Sequence, residues 1–382
     1  MTKDDELRQW LNLYHLPSLS IGLYPRLLRA FKTPAAILGA DMAALAVHGV
    51  THTLAREMRD CDKSPDATRK TAEALNWCEH VDQHIVTFAD PFYPPLLREI
   101  PDPPPLLFVC GQLQALLMPQ IAIVGSRRCS VDGREVATAL AADLASQGLS
   151  VCSGLAMGID SAAHAGALKV EGATVAVQGT GADRVYPPGN RALARRILER
   201  GALLSELPLG SSAQAAHFPK RNRIISGMSL GVIVVEAALQ SGSLITARLA
   251  MEQNREVFAV PGSVRNPLCR GTHRLIRDGV TLIETSDQVL EQLGSLVEGH
   301  LCALQLSGVV ISESDNGKVT MQSNSALTEE ERIVLTALGY DPVLIDALVE
   351  RTGISASEVQ SALLTLELNG KVHCEAGRYT LL

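Results

Sequence analysis

The chain has 382 residues, of which 46% are hydrophobic and 20% charged, and its formal net charge is −7. That length allows two or three domains, and the composition excludes a disordered or fibrous chain. The negative balance excludes bulk affinity for polyanions, so any such contact has to come from a local basic patch.

The opening stretch MTKDDELRQW is charged and lacks the apolar core of a signal peptide. The apolar runs, such as 231–236 (GVIVVE), are too short to cross a bilayer. Eight cysteines occur without a Cys-x-x-Cys pair, so neither a zinc site nor a disulfide framework is expected. Cys152 ends an apolar run and reads as a buried, inert thiol. The expectation is a cytoplasmic protein with no membrane insertion, no metal and no cofactor.

Residues 6–14, 20–31, 34–38 and 42–47 read as short helices punctuated by Gly22, Gly39 and Gly49. The pattern resembles a SAM-like or helix-hairpin-helix bundle over 1–80, fitted to nucleic-acid backbones or, equally, to protein contacts. A proline-rich stretch follows, with Asp90-Pro-Phe-Tyr-Pro-Pro95 and Pro101-Asp-Pro-Pro-Pro105. Prolines at this density disfavour a helix, and 82–118 is expected to be extended chain leading into an edge strand.

From Ile121 to residue 293 short apolar strands alternate with helical segments. Strands are expected at 121–124, 149–152, 173–177, 202–205, 231–235, 256–260 and 280–283. This alternation predicts an α/β fold, an extended Rossmann-like parallel sheet covered on both faces. Residues 294–326 contain SESDNGK and MQSNS and read as a linker. In 327–382, a capping box at Thr328–Glu331, two further helices and a hairpin around Ala376-Gly377 predict a winged helix. Its third helix carries Glu358 and Glu367 and no Lys or Arg, so phosphate repulsion opposes groove reading and favours a protein contact.

Charge is spread unevenly. Residues 121–290 hold 18 Lys+Arg against 14 Asp+Glu, whereas 327–382 hold 4 against 9. Within 181–227 the balance is 8 basic to 3 acidic. At its centre lies His217-Phe218-Pro219-Lys220-Arg221-Asn222-Arg223, at the start of a helix whose Ile224, Ile225 and Met228 are expected to be buried. Backbone amides and cations together make such a helix start an anion site, and Phe218 offers a flat face for a base.

Every polar cluster of the sheet region falls just after a strand, where ligands of open α/β sheets bind. They are Gly125-Ser126-Arg127, Ser153-Gly154 with Gly158-Ile159-Asp160, Gly179-Thr180-Gly181 with Tyr186-Pro-Pro-Gly-Asn190, Ser205-Glu206, Glu236 with Ser241-Gly242-Ser243-Leu244-Ile245-Thr246, and Pro261-Gly262. The 241–246 segment suits a phosphate or the cap of the next helix about equally. A carboxylate such as Glu236 among Arg127, Arg221 and Arg223 reads as one that orients those cations. Asp160 and His164, four apart on one helix, read as a helix-start acid and a hydrogen-bonded histidine rather than an acid/base pair. No Gly-x-Gly-x-x-Gly follows the first strand and no P-loop occurs, so ordinary dinucleotide binding and NTP hydrolysis are unsupported.

Taken in order, Gly125-Ser-Arg127, Ser153-Gly-Leu-Ala-Met-Gly-Ile-Asp160, Gly179-Thr-Gly181, Tyr186-Pro187, Phe218-Pro-x-Arg-Asn-Arg-Ile-Ile225, Ser241–Thr246 and Ala259-Val-Pro-Gly262 resemble the DNA-processing protein A family (DprA, also called Smf). Gln178 and His273 depart from that family's usual residues. The resemblance implies a non-enzymatic mediator of natural transformation that binds and protects single-stranded DNA, forms homodimers and loads RecA recombinase. It assigns DNA contact to Arg127, Phe218, Arg221, Asn222 and Arg223, with Lys220, Gly125 and Ser126 beside them. The residues alone predict the same chemistry, with cations neutralising phosphates and Phe218 stacking a base. This requires Arg127 and Arg223 to share one side of the sheet, unsealed by the chain's own carboxylates. Two rivals use the same sheet: a nucleotide hydrolase resembling the cytokinin phosphoribohydrolases, and a nucleotide-sensing scaffold. The hydrolase motif Pro-Gly-Gly-x-Gly-Thr is absent.

Overall fold

The computed structural model describes residues 3–16, 18–19, 22–61, 64–306, 309–312, 320–323, 333–334, 337–338, 343–368, 372–375 and 378–381. The described residues up to 306 fall in one compact unit, and the C-terminal elements fall in a second, smaller one.

The first unit is built on nine strands: β1 (Gln83–Thr87), β2 (Leu106–Gly111), β3 (Gln120–Val124), β4 (Ser150–Ser153), β5 (Thr174–Val177), β6 (Ala202–Ser205), β7 (Gly231–Val234), β8 (Glu256–Ala259) and β9 (Thr281–Leu282). Their order is β1-β2-β6-β5-β4-β3-β7-β8-β9. From β6 to β9 all neighbours are parallel, while β2 joins β6 and β1 joins β2 antiparallel. The central strands β3 to β7 are buried at every position, as a sheet covered on both faces demands. The expected alternation and strand positions hold to within one or two residues.

Six helices precede the sheet: α1 (Lys3–Tyr14), α2 (Leu23–Phe31), α3 (Pro34–Gly39), α4 (Met42–Val47), α5 (His52–Arg59) and α6 (Pro65–Trp77). Thr33, Asp41, Thr51 and Ser64 each accept a hydrogen bond from a first-turn amide and so fix four of the starts. The bundle has its own core around Trp10, Tyr24, Leu27 and Leu54. A second cluster joins Leu11 and Ala74 to Ile85, Leu106 and Phe108 of the antiparallel edge.

Between β1 and β2 lies α7 (Pro95–Glu99), which corrects the expectation of wholly extended chain. Pro95 occupies the first helical turn, where its missing N–H costs nothing, so proline density there starts a helix instead of excluding one. Nor is β2 the edge strand, since β1 lies outside it.

The sheet is covered by α8 (Val131–Ser146), α9 (Ile159–Lys169), α10 (Arg191–Arg200), α11 (His217–Met228), α12 (Gly242–Glu252), α13 (Arg270–Arg277) and α14 (Ser286–Leu306). The last corrects the linker expected from residue 294, because helix continues through Gly294 and Gly299. Val289 and Leu293 are buried against the α8 side of the sheet, and His300 Nε2 bonds the Leu117 carbonyl oxygen at 2.8 Å. Such anchors outweigh roughly 1 kcal/mol per helical glycine. Val309–Ser312 (β10) and Thr320–Ser323 (β11) pair as a two-stranded sheet within the rest of that stretch.

The second unit contains β12 (Val343–Leu344), α15 (Ile345–Thr352), α16 (Ala356–Leu368), β13 (Val372–Glu375) and β14 (Arg378–Leu381). β14 pairs with both β13 and β12, giving the winged-helix arrangement. Ser355 and Glu358 cap α16 reciprocally, with Ser355 N donating to the Glu358 carboxylate at 2.9 Å and Glu358 N donating to Ser355 Oγ at 3.3 Å. The capping box expected at Thr328–Glu331 lies outside the described residues. No described helix is long and apolar enough to cross a membrane.

Candidate nucleic-acid interface

The chain runs from β3 outward through β4, β5 and β6, then crosses back to add β7, β8 and β9 on the other side. Loops leaving β3 and β7 therefore part company, and a crevice opens at their carboxyl ends. A cleft of about 840 Å³ occupies that point, bordered by Gly125–Arg128, by Phe218, Arg221 and Asn222, and by Ser241–Ser243 with Thr246.

The loop after β3 is pinned. A Cβ on Gly125 would fall 2.6 Å from Ile159 Cγ1 and 2.9 Å from the Glu236 carbonyl oxygen, and Ser126 N donates to that oxygen at 2.7 Å. Glycine is required for this closeness. Arg127 leaves the pinned loop exposed, with its guanidinium carbon 5.2 Å from the centre of the Phe218 ring. It forms no ion pair among the described residues.

Phe218 stands in the first turn of α11, half-buried. Beneath it lies Gly179, whose Cβ would come within 2.8 Å of the ring. Beside it is Tyr186, 45% exposed, with ring centres 5.7 Å apart. The loop past β5 thus supplies both a seat for one aromatic ring and a second ring.

Arg221 is 5% exposed and lies across Gly154, where an added Cβ would overlap its Nη1 at 1.5 Å. Its Nε has no hydrogen-bond partner. Burial pushes its pKa down, and the nearby Asp160 carboxylate works against that shift. Asp160, itself buried, has its pKa raised by desolvation, with Arg221 opposing. No carboxylate approaches Arg221 within ion-pair distance among the described residues, so the cleft holds a buried cation whose complement is incomplete. A buried, unmatched guanidinium is costly, and an incoming anion relieves that cost.

The other expected cations are placed elsewhere. Residues 221 and 223 sit about 200° apart around a helix, so the two arginines face opposite ways. Arg223 Nε pairs with Asp102 at 3.0 Å, its Nη2 pairs with the buried Glu206, and both partners of this second pair are 8% exposed. Arg127 meets the requirement of standing unsealed and Arg223 does not, so the cation set read from the sequence fails as a whole and the cleft keeps only Arg127 and Arg221 of it. Lys220 is exposed and borders a smaller cavity against Tyr14 and Glu206.

Glu236 is also corrected: it orients none of the arginines. Its carboxylate accepts from Ser130 N at 2.8 Å, Ser130 Oγ at 2.6 Å and Asn266 Nδ2 at 3.1 Å, directly over Gly133. It serves the amino end of α8, as a carboxylate near a helix dipole does. A hydrolase reading is thereby left without a free acid at this position. Ser153 donates to the Ile123 carbonyl and is buried, and Gly181 N donates to the Ser211 carbonyl, so neither borders the cleft. Of the two readings of 241–246 the structure shows the cap, since the Ser241 hydroxyl accepts from Ser243 N at the start of α12, and Ser241 also lines the cleft with Gly242, Ser243 and Thr246. Asn222 Nδ2 reaches the Gly242 carbonyl at 3.4 Å and bridges the two walls.

Thr174 Oγ1 donates to the Val151 carbonyl, so it accepts from His164 Nδ1 at 2.7 Å, which leaves His164 neutral and protonated on Nδ1. Burial drives its pKa from 6.5 down to about 3. Below about pH 6.5 the unfolded chain takes up a proton that folded His164 refuses. Acidification through that window therefore favours unfolding by up to about 1.4 kcal/mol per pH unit. Asp160 and Glu206, whose carboxyls burial raises, act in the opposite sense. In denaturant titrations from pH 7 to 5, His164→Gln is expected to lose less stability than the parent protein. Equal losses would contradict the assignment. Among the described residues no group of three metal-ligating side chains occurs.

Tyr186 and Arg128 also line the cleft, and the sequence places Tyr186 only in a turn after a strand, without its contact to Phe218. Nothing periodic marks that contact.

A mostly parallel sheet with a cationic, aromatic cleft at its strand-order reversal, joined in sequence to a winged helix, defines an extended Rossmann-like α/β protein. A family profile described as DNA recombination-mediator protein A matches residues 84–294, and one for the DprA winged helix domain matches 319–378. Protein Smf of Escherichia coli K12 is 40% identical over 327 residues, covering 85% of this chain and 84% of that protein. DNA processing protein DprA of Streptococcus pneumoniae R6 is 46% identical over 203 residues, 53% of this chain and 72% of that one. The X-ray structure of DprA from Streptococcus pneumoniae superposes with a TM-score of 0.65 at 35% identity, covering 76% of this chain and 98% of that chain. The chain belongs to the DprA/Smf family of DNA recombination mediators.

Proposed function

We propose that the protein binds single-stranded DNA in the cleft at the β3–β7 reversal, without a catalytic step. In this reading it protects incoming strands during natural transformation and loads RecA recombinase onto them, acting as a cytoplasmic homodimer. The observation that carries the reading is the exposed guanidinium of Arg127, unpaired among the described residues, against the half-buried ring of Phe218, beside a buried Arg221 that lacks a complement. A base can stack on an aromatic face while its flanking phosphates meet the two cations, and a paired base, shut inside a duplex, cannot. The contacting set is Arg127, Phe218, Arg221 and Asn222, with Gly125, Ser126 and the 241–246 wall shaping the space. Arg223 has a structural part in it. Two such clefts in a dimer would grip one strand with added avidity.

Fluorescence anisotropy with a labelled oligothymidylate and a duplex of equal length, across salt, tests this. The single strand is expected to bind more tightly, with log affinity falling linearly in log salt. Arg127→Ala is expected to reduce that slope by about 0.7 and, at 0.1 M salt, to weaken binding about five-fold. Coincident curves for variant and parent would overturn the proposal. RecA loading is tested separately, by the rate of RecA filament growth on protein-coated single strands with and without the protein.

A further inference from the structure

A second groove, of about 520 Å³, adjoins the cleft and is bordered by Arg184, Arg191 and Arg195. Tyr186 and Ala213 line both spaces, so the two are continuous around the tyrosine ring. Arg191 and Arg195 lie one turn apart on α10, both exposed, and neither forms an ion pair among the described residues. The acid lining the groove is Asp183, which pairs with Arg184 at 3.4 Å and accepts from Gly210 N at 2.9 Å. Like charges four apart on a helix destabilise it. An unneutralised pair facing a groove that opens from an anion cleft therefore points to an anionic occupant.

Resting on the single-strand reading above, we propose that this groove carries the sugar-phosphate backbone of the same strand onward from the Arg127–Phe218 cleft. Arg191 and Arg195 each neutralise one phosphate there. Tyr186, exposed at the junction and touching Phe218, is the divide over which the strand passes. The contact is to backbone and is sequence-independent, because guanidinium groups on a solvent-facing helix offer no fixed base-edge geometry.

The test uses oligothymidylates of about 4 and about 20 nucleotides, the shorter filling a single site and the longer able to run on. For Arg191→Gln/Arg195→Gln, affinity for the long oligomer is expected to fall about 25-fold at 0.1 M salt, and the salt slope to drop by about 1.4. Affinity for the short one is expected to stay at the parent value. Arg191→Lys/Arg195→Lys, which keeps the charges, is expected to restore the slope. Both side chains are exposed, and unchanged melting of the double variant confirms that the fold is intact. Parent-like binding of the long oligomer by the glutamine variant, with Arg127→Ala still weakening both lengths, would overturn the second groove alone. If Arg127→Ala weakens neither length, the single-strand reading fails and the groove fails with it.

Discussion

Arg223→Ala is expected to destabilise the first unit by about 3–5 kcal/mol, the cost of leaving one half of a buried ion pair without its partner. The variant would strand Glu206, 8% exposed, whose carboxyl burial already pushes up and which Arg223 holds down. Chemical denaturation should show a lower midpoint with an unchanged slope. Single-strand affinity, measured on the protein that remains folded, should match the parent within about two-fold, well short of one charged hydrogen bond. Glu206→Gln/Arg223→Met, which removes both charges, should recover part of the loss. A large drop in affinity with little loss of stability would return Arg223 to the binding surface.

Gly154→Ala should give the opposite pattern. The added methyl would occupy the position of Arg221 Nη1, the far end of a flexible side chain, so the arginine yields before the backbone does. Folding should be largely retained while Arg221 swings out of the cleft. The lost charged contacts correspond to about 1.5–3 kcal/mol, roughly a 10- to 150-fold loss of single-strand affinity. The control is Gly201→Ala, where the new Cβ would lie 1.9 Å from the Thr174 carbonyl oxygen. A backbone atom cannot step aside, so that variant should lose stability first. Parent-like binding by Gly154→Ala would show that Arg221 does not need its present position.

The sheet was legible because its parallel strands are short apolar runs, and β3, β4 and β6 end at a glycine or a serine. That places the strand ends, and with them the cleft. The cation set was legible only in part. Lys220, Arg221 and Arg223 are neighbours in sequence, but a helix sends them around its axis. The acids that capture Arg223 come from Asp102 and Glu206, over a hundred residues and seventeen residues away respectively. Glu236 was misread for a related reason: its partners, Ser130 and Asn266, are brought to it by the strand crossover. The helix beyond residue 293 was hidden by two glycines, since its anchors are set by a surface that the local sequence does not display.

The outer antiparallel edge of the sheet has no cover of its own. Phe108 is fully buried only because Tyr14 and Trp77 pack edge-on to it, with ring centres at 6.0 and 5.8 Å, and Leu11 and Ala74 complete the layer. A shortened protein cut down to the sheet would expose a greasy flank and tend to self-associate. The first seventy-odd residues are therefore part of the smallest unit that can be handled in solution, whatever else they touch.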